Sequence, residues 1–287
     1  MSIAYLNGDF LPLSEARISP LDRGFLFGDG IYEVIPYYQG QSVGLGLHIQ
    51  RMLNGLAEIE IHCSLTAEQW RNLLNDLIEK NSDQAENLGV YVHVSRGTDD
   101  KRYHAYPEGV DPTIFAYTFA IKDPEPVDRE KVTQYSLVST EDLRWQRCHI
   151  KSTALLGNVI HFQQGYSAGS DETLLYNADH QLTEGSACNV FIVKDGVVLT
   201  PKLDNQILPG ITRRIIIDSL KIDGSIPVEE RTITMDEVRF ADELWITSSS
   251  KEIAPVTQLD GQPVGNGKVG DIWEKAFAIY TAAKFSY

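Results

Sequence analysis

The sequence predicts an α/β protein of two domains, a small N-terminal α+β domain and a larger C-terminal α/β domain. Three observations predict it. Strand-like and helix-like periodicities mix in both halves, no segment repeats another, and a charged proline pair, Asp123-Pro124-Glu125-Pro126, interrupts the chain before its midpoint. Two prolines flanked by charges bar regular helix or sheet and stiffen a crossing. The expected division is 1–121, a linker over 122–127, and 128–287, each part within the usual size of a domain.

The first element is a hairpin, Ile3 to Leu6, the turn Asn7-Gly8-Asp9, then Phe10 and Leu11. Ile31 to Ile35 has strand composition and leads through Tyr37-Tyr38 to a turn at Gln39-Gly40. From Leu47 the spacing is helical, with Ile49, Met52, Leu53, Leu56 and Ile59 on one face. A second amphipathic helix carries Trp70, Leu73, Leu74, Leu77 and Ile78, and Thr66 stands before Gln69 as a capping box. Val90 to Val94 and Thr113 to Ala120 are strands. The polar stretch between them, Gly97 to Asp111, is longer than a hairpin needs, and such loops are often functional.

Beyond the linker, Leu174 to Tyr176, Val190 to Val193 and Val197 to Leu199 are strands, the last two joined by the hairpin turn Asp195-Gly196. A helix covers Ile211 to Leu220 directly after Pro209-Gly210, and Thr234 and Glu237 cap a shorter one. Glu243 to Thr247 is a buried strand. Ile272 to Phe285 closes the chain as an amphipathic helix.

With 287 residues and 43% hydrophobic composition the chain buries an ample core without staples. A formal net charge of -15 argues against nucleic acid and against an anionic membrane surface as partner. It leaves a small anionic ligand open, because a few local cations can dominate a pocket. Cys63, Cys148 and Cys188 are odd in number and widely spaced, fitting neither a disulfide framework nor a zinc pattern, and no metal site is expected. The start lacks a basic segment followed by an apolar run, and no stretch approaches the roughly 18 apolar residues of a membrane helix. A cytoplasmic protein is the expectation.

Five segments carry chemistry. Lys151 lies between Ile150 and a run of small or apolar residues, Thr153 to Leu156, with Arg144 and Arg147 close in sequence. Such a lysine is expected to be partly desolvated, which favours the neutral amine that a Schiff base requires, although most lysines are simply surface residues. Thr183-Glu184-Gly185-Ser186-Ala187-Cys188-Asn189 sets a carboxylate before small residues, where backbone can approach a planar ligand; a plain turn reads the same way. Pyridoxal phosphate needs an anion of this kind, because a protonated ring nitrogen makes the ring an electron sink. Leu208-Pro209-Gly210-Ile211-Thr212-Arg213 opens a helix whose free N–H groups and dipole suit a phosphate, or only an ordinary cap. The hydroxyls of Thr247-Ser248-Ser249-Ser250 end a strand and can complete a phosphate cradle or form a loop. Arg51 lies on the polar side of the first helix, solvated or paired.

Together these segments resemble the fold-type IV pyridoxal-phosphate enzymes. The likeness rests on YEVI near Tyr32, HIQR ending at Arg51, CHIKS around Lys151, TEGSACNVF, LPGITR and SSSKEIAPV, in that order, and covers the chain from about Leu6 to Lys268. That family includes branched-chain and D-amino acid aminotransferases and 4-amino-4-deoxychorismate lyase. The resemblance implies that Lys151 is the Schiff-base lysine and proton shuttle and that Glu184 pairs with the pyridine nitrogen. It also implies that Arg51, Ile211 through its N–H, Thr212 and Ser249 hold the phosphate with Ser248 close by, and that Tyr32 faces the substrate.

The loop Arg96 to Pro107, RGTDDKRYHAYP, discriminates among members. Arg102 and His104, two residues apart, can fork around a carboxylate by charge-assisted hydrogen bonds. The pair resembles the trap with which D-amino acid aminotransferases hold the substrate α-carboxylate, completed by Tyr32, with the loop reaching from the neighbouring subunit of a homodimer. The implied reaction is ping-pong transfer of an amino group from D-amino acids of the D-alanine or D-glutamate type to 2-oxo acids such as 2-oxoglutarate or pyruvate, by way of pyridoxamine phosphate. Branched-chain or (R)-amine transamination and aminodeoxychorismate lysis are the alternatives. Three departures bear on substrate range: one extra residue before Arg102, Pro36 where a lysine is familiar, and Ala187 in place of a serine.

Overall fold

The computed structural model describes residues 2–287, which divide into two compact units. The first comprises residues up to Asp123 together with Ile150–Leu155 and Tyr287; the second comprises Pro124–His149 and Leu156–Ser286.

In the first unit the strands are β1 (Ile3–Leu6), β2 (Asp9–Pro12), β3 (Gly30–Tyr38), β4 (Gln41–Ser42), β5 (Asn87–Ser95) and β6 (Thr113–Ala120). They form one antiparallel sheet in the order β2-β1-β6-β5-β3-β4. The helices are the short α1 (Arg23–Phe27), then α2 (Leu45–Glu58) and α3 (Ala67–Lys80), whose Thr66–Gln69 capping box forms as expected. Period-two alternation sorts the sheet's faces. Ile31, Ile35, Val90, Val92 and Val94 pack with Ile49, Met52, Leu56, Trp70 and Leu74 of the two helices into one core. The opposite parity places Tyr32, Tyr91, His93, Phe115, Tyr117 and Phe119 in a chain of ring contacts. β3 runs past Ile35 through Pro36, paired with Gly89, to Tyr38.

In the second unit the strands are β7 (Tyr135–Glu141), β8 (Glu172–Tyr176), β9 (Leu182–Gly185), β10 (Asn189–Lys194), β11 (Val197–Thr200), β12 (Val228–Glu230), β13 (Glu243–Ser248), β14 (Glu252–Leu259) and β15 (Gln262–Pro263). They make a mixed sheet in the order β12-β11-β10-β13-β14-β7-β8-β9, with β15 on β14. Its helices are α4 (Leu156–Ser167), α5 (Ile211–Asp223), α6 (Met235–Arg239) and α7 (Asp271–Ala283). α5 and α7 pack together, and Trp273, Phe277 and Tyr280 are buried. The turn Asp195-Gly196 has positive φ at both residues, as a tight hairpin requires.

Several features depart from the sequence reading, among them the strands β7, β12 and β14, none of which was expected. Residues 150–155, which chain order puts in the larger domain, fold with the smaller unit because they hydrogen-bond the start of β3. α4 was not expected: it buries His161 and Gly165 and leaves Leu156, Val159, Ile160 and Tyr166 exposed, the reverse of the apolar-in pattern by which a helix is read. Among the described residues no helix is long and apolar enough to cross a membrane, and no group of His, Cys, Asp or Glu could hold a metal ion.

Candidate active site

Lys151 sits on a short irregular segment laid against β3. The Tyr32 N–H donates to the Lys151 carbonyl oxygen at 3.0 Å, Ile31 bridges Ser152, and the Thr153 N–H donates to Gly30 O at 2.9 Å. Gly28 makes the close approach possible. Its φ is +67°, and a Cβ there would lie 2.9 Å from Ala154 Cα. The half-buried Lys151 carries its Nζ 4.1 Å from the centroid of the Tyr32 ring, a contact the ring's quadrupole favours. The cover is not the one expected from sequence: Ala154 and Leu156 are exposed, whereas Ile150 is buried and Tyr32 faces the amine.

Arg51 is fixed by a partner the sequence reading missed. From α2 its Nε donates to Glu33 Oε1 and its Nη2 to Glu33 Oε2, both at 2.7 Å, while His48 Nδ1 meets Glu33 Oε2 at 2.8 Å. Burial works to raise the Glu33 carboxyl, but Arg51 and His48 outweigh it and hold the group well below the usual carboxylate range. Burial lowers His48 even against Glu33. The signal was present in the pattern: Glu33 shares the parity of Ile31, Ile35 and Tyr37, so it had to face the core.

Glu184 belongs to the second unit and is buried near the end of β9. It accepts from Arg144 Nη1 at 2.7 Å, Asn189 Nδ2 at 3.1 Å and the Leu208 N–H at 3.0 Å. Arg144 also grips Asp142 with Nε at 2.9 Å and Nη2 at 2.7 Å. One guanidinium therefore serves two carboxylates. Asp142 is held below its ordinary value as Arg144 overcomes burial, whereas burial pushes Glu184 up to about 7 despite the same arginine. Of the two carboxyls, Glu184 is the one that burial leaves poorly stabilised as an anion, so a further positive charge beside it would favour its ionised form. Arg144, expected from sequence to supply positive charge, is neutralised by these two partners.

The same unit holds the candidate anion site at the start of α5. α5 starts at Ile211 and Thr212 after Gly210, which offers no capping side chain, and its first turn holds no acidic residue. The dipole and N–H groups of this 13-residue helix suit a phosphate. A Cβ on Gly210 would overlap the Asn189 side-chain oxygen, so glycine is needed for the cradle's tight packing. Asn189 Nδ2 also donates to Leu208 O at 2.9 Å, and Asn189 pairs with Thr247 across β10 and β13. It thus ties together Glu184, the approach to α5 and the end of β13. Ser248 closes that strand, and its Oγ accepts from the Lys251 N–H at 3.1 Å; Ser249 follows in the turn.

Arg102 and His104 are exposed in the loop between β5 and β6, on a common ring: Arg102 Cζ lies 5.2 Å and the His104 ring 5.3 Å from the centre of Phe27.

The class IV amino-transferase family model matches residues 30–259, a span that includes Lys151, Glu184 and the start of α5. The chain belongs to this family. The class IV aminotransferase is 40% identical over 273 residues to the D-alanine aminotransferase of Staphylococcus aureus strain MW2, covering 95% of this chain and 94% of that one. Its fold is similar to that of the Escherichia coli branched-chain amino acid aminotransferase, with a TM-score of 0.89 at 22% identity over 98% of this chain and 94% of that chain. It is also similar to the branched-chain aminotransferase of the archaeon Thermoproteus uzoniensis, solved with norvaline, with a TM-score of 0.88 at 24% identity over 100% and 96%. The fold-type IV α/β architecture expected from sequence is the one found.

Proposed function

We propose that this aminotransferase moves the amino group of small D-amino acids to 2-oxo acids, using Lys151 and pyridoxal phosphate. The observation that carries the reading is the Lys151 amine over the Tyr32 ring, 4.1 Å from its centroid. The donor sets fit the cofactor: a buried carboxyl at Glu184 that an added cation would ionise, a helix N-terminus without a side-chain cap at Ile211, and a fixed guanidinium at Arg51. Similarity to D-alanine aminotransferases across most of the chain supports the choice of substrate.

Pyridoxal phosphate, when bound, supplies an electron sink for the charge left at the substrate Cα. Lys151 would hold the cofactor through its Nζ and, as a neutral base, would move the proton at the substrate Cα. Glu184 accepts the ring N–H, its direction set by Arg144 and Asn189. The N–H groups of Ile211 and Thr212, the hydroxyls of Thr212, Ser248 and Ser249, and Arg51 hold the phosphate. Glu33 keeps Arg51 from swinging into solvent. Tyr32, Arg102 and His104 bind the substrate α-carboxylate, and this orientation selects the D enantiomer. The enzyme acts as a homodimer whose Arg102/His104 loops each serve the partner's site. The exposure of both residues and the exposed apolar side of α4 support that arrangement.

The test is incubation with D- or L-alanine and 2-oxoglutarate. Pyruvate should form from the D enantiomer alone, and Lys151→Ala should abolish it. Turnover of branched-chain L-amino acids instead, or pyruvate release from aminodeoxychorismate, would overturn the reading.

A further inference from the structure

We infer that Arg23 and Phe27, on α1, are positioning residues that set the direction of Arg102 and His104, an assignment that rests on the carboxylate-binding reading above. Arg23 is 3% exposed. Its Nε donates to Asp29 Oδ2 at 2.8 Å, its Nη1 to Tyr103 O at 2.6 Å and its Nη2 to His104 O at 3.3 Å. One planar fork thus spans a carboxylate and two consecutive carbonyls of the loop tip. Phe27 packs against the same guanidinium. Arg23 Cζ is 4.9 Å from its ring centre, and the side chains of Arg102 and His104 pack on the same ring.

A second arginine completes the clamp. Arg96 donates from Nε to Asp29 Oδ2 at 2.8 Å and from Nη2 to Asp29 Oδ1 at 3.0 Å. Its guanidinium also donates to Ile59 O and Glu60 O and lies 3.5 Å from the Tyr106 ring centre. Two buried guanidiniums share the Asp29 carboxylate, so each completes its hydrogen bonding with main-chain oxygens. The base of the loop is held as well: the Arg23 N–H donates to Gly97 O at 2.8 Å, and Asp22 bridges Thr98.

A loop needed only as a connection gains nothing from two buried arginines and an aromatic platform. A loop that must present an arginine and a histidine at fixed directions does, because ordering them before substrate arrives removes an entropic penalty from binding. The fork is specific to arginine; a lysine keeps the charge and loses the second and third contacts.

Arg23→Lys and Phe27→Leu test the inference. Each should raise the KM for D-alanine roughly tenfold with kcat within about twofold, as expected for lost contacts of charged hydrogen-bonding groups. Trypsin should cleave after the exposed Lys101 and Arg102 markedly faster than in the wild type, with the circular dichroism unchanged. In an Arg102→Ala background, Arg23→Lys should add little, because both changes act through one group. Wild-type KM and cleavage rate in both variants, or a fully additive loss in the Arg102→Ala background, would overturn the assignment. A wild-type KM in Arg102→Ala alone sinks the carboxylate-trap reading instead, and the cleavage rates then decide the clamp by themselves. Phe27→Leu guards against a failure of Arg23→Lys to fold.

Discussion

Replacing Glu184 by glutamine should change how the stability of the cofactor-free protein depends on pH, by an amount set by one shared arginine. Burial pushes the Glu184 carboxyl up to about 7 against Arg144, which also neutralises Asp142. The ordinary value is 4.5. Between those two values the folded protein keeps a proton that the unfolded chain has released, so stability falls as pH rises through the window. Below it the carboxyl is protonated in both states; above it the full penalty applies. At about 1.4 kcal/mol per unit, the full penalty comes to about 3–4 kcal/mol. The variant carries no proton at this position. The stability of the wild type minus that of Glu184→Gln should therefore drop by about 2–3 kcal/mol from about pH 5 to about pH 8. His48 and His93, lowered by burial, and Glu33, held low by its partners, contribute to both proteins and cancel in the difference. Urea denaturation across that range measures it. A difference that does not vary with pH means that Glu184 titrates as it does in the unfolded chain, and the argument that burial outweighs Arg144 then fails. Saturating pyridoxal phosphate should flatten the profile, since a cationic N–H holds the carboxylate charged.

Other perturbations probe the supports of the site. Glu33→Gln strands Arg51 without its buried counter-charge and should lower stability by about 3–5 kcal/mol in thermal or urea denaturation; a loss below about 1 kcal/mol would show that solvent replaces Glu33 easily. Gly28→Ala meets both a positive φ and the Ala154 backbone, so it should lower kcat by displacing the Lys151 segment while the circular dichroism keeps its wild-type shape. Lys284→Met breaks the 2.6 Å ion pair that buries Lys284 against Glu252 and should cost about 3–5 kcal/mol, whereas adding Glu252→Met should restore much of the loss. A double variant as unstable as the sum of the two single changes would mean that packing, not charge pairing, decides that site.

What could be read in the sequence divides along physical lines. Elements carried by local rules were legible: the capping boxes at Thr66 and Thr234, the Asp195-Gly196 hairpin, and the helix opening after Gly210 all form where turn chemistry and periodicity put them. Elements defined by their neighbours were not. β14 is buried along most of its length and so lacks alternation, and α4 exposes its apolar side while burying His161 and Gly165, so neither shows the pattern of one covered apolar face. The candidate site shows the same division more sharply. Glu184, Lys151 and Arg51 stood out by residue type and company, but what fixes them lies far away in sequence: Arg144 is 40 residues from Glu184, and Glu33 is 18 from Arg51. A charge pattern along the chain cannot say which of two carboxylates an arginine will favour, because the answer depends on which is less exposed to water after folding. Asp142 keeps a depressed pKa beside Arg144, and Glu184, more deeply enclosed, takes the raised one. That asymmetry sets Glu184 apart from Asp142, and it arises only when the fold has decided which of the two is cut off from solvent.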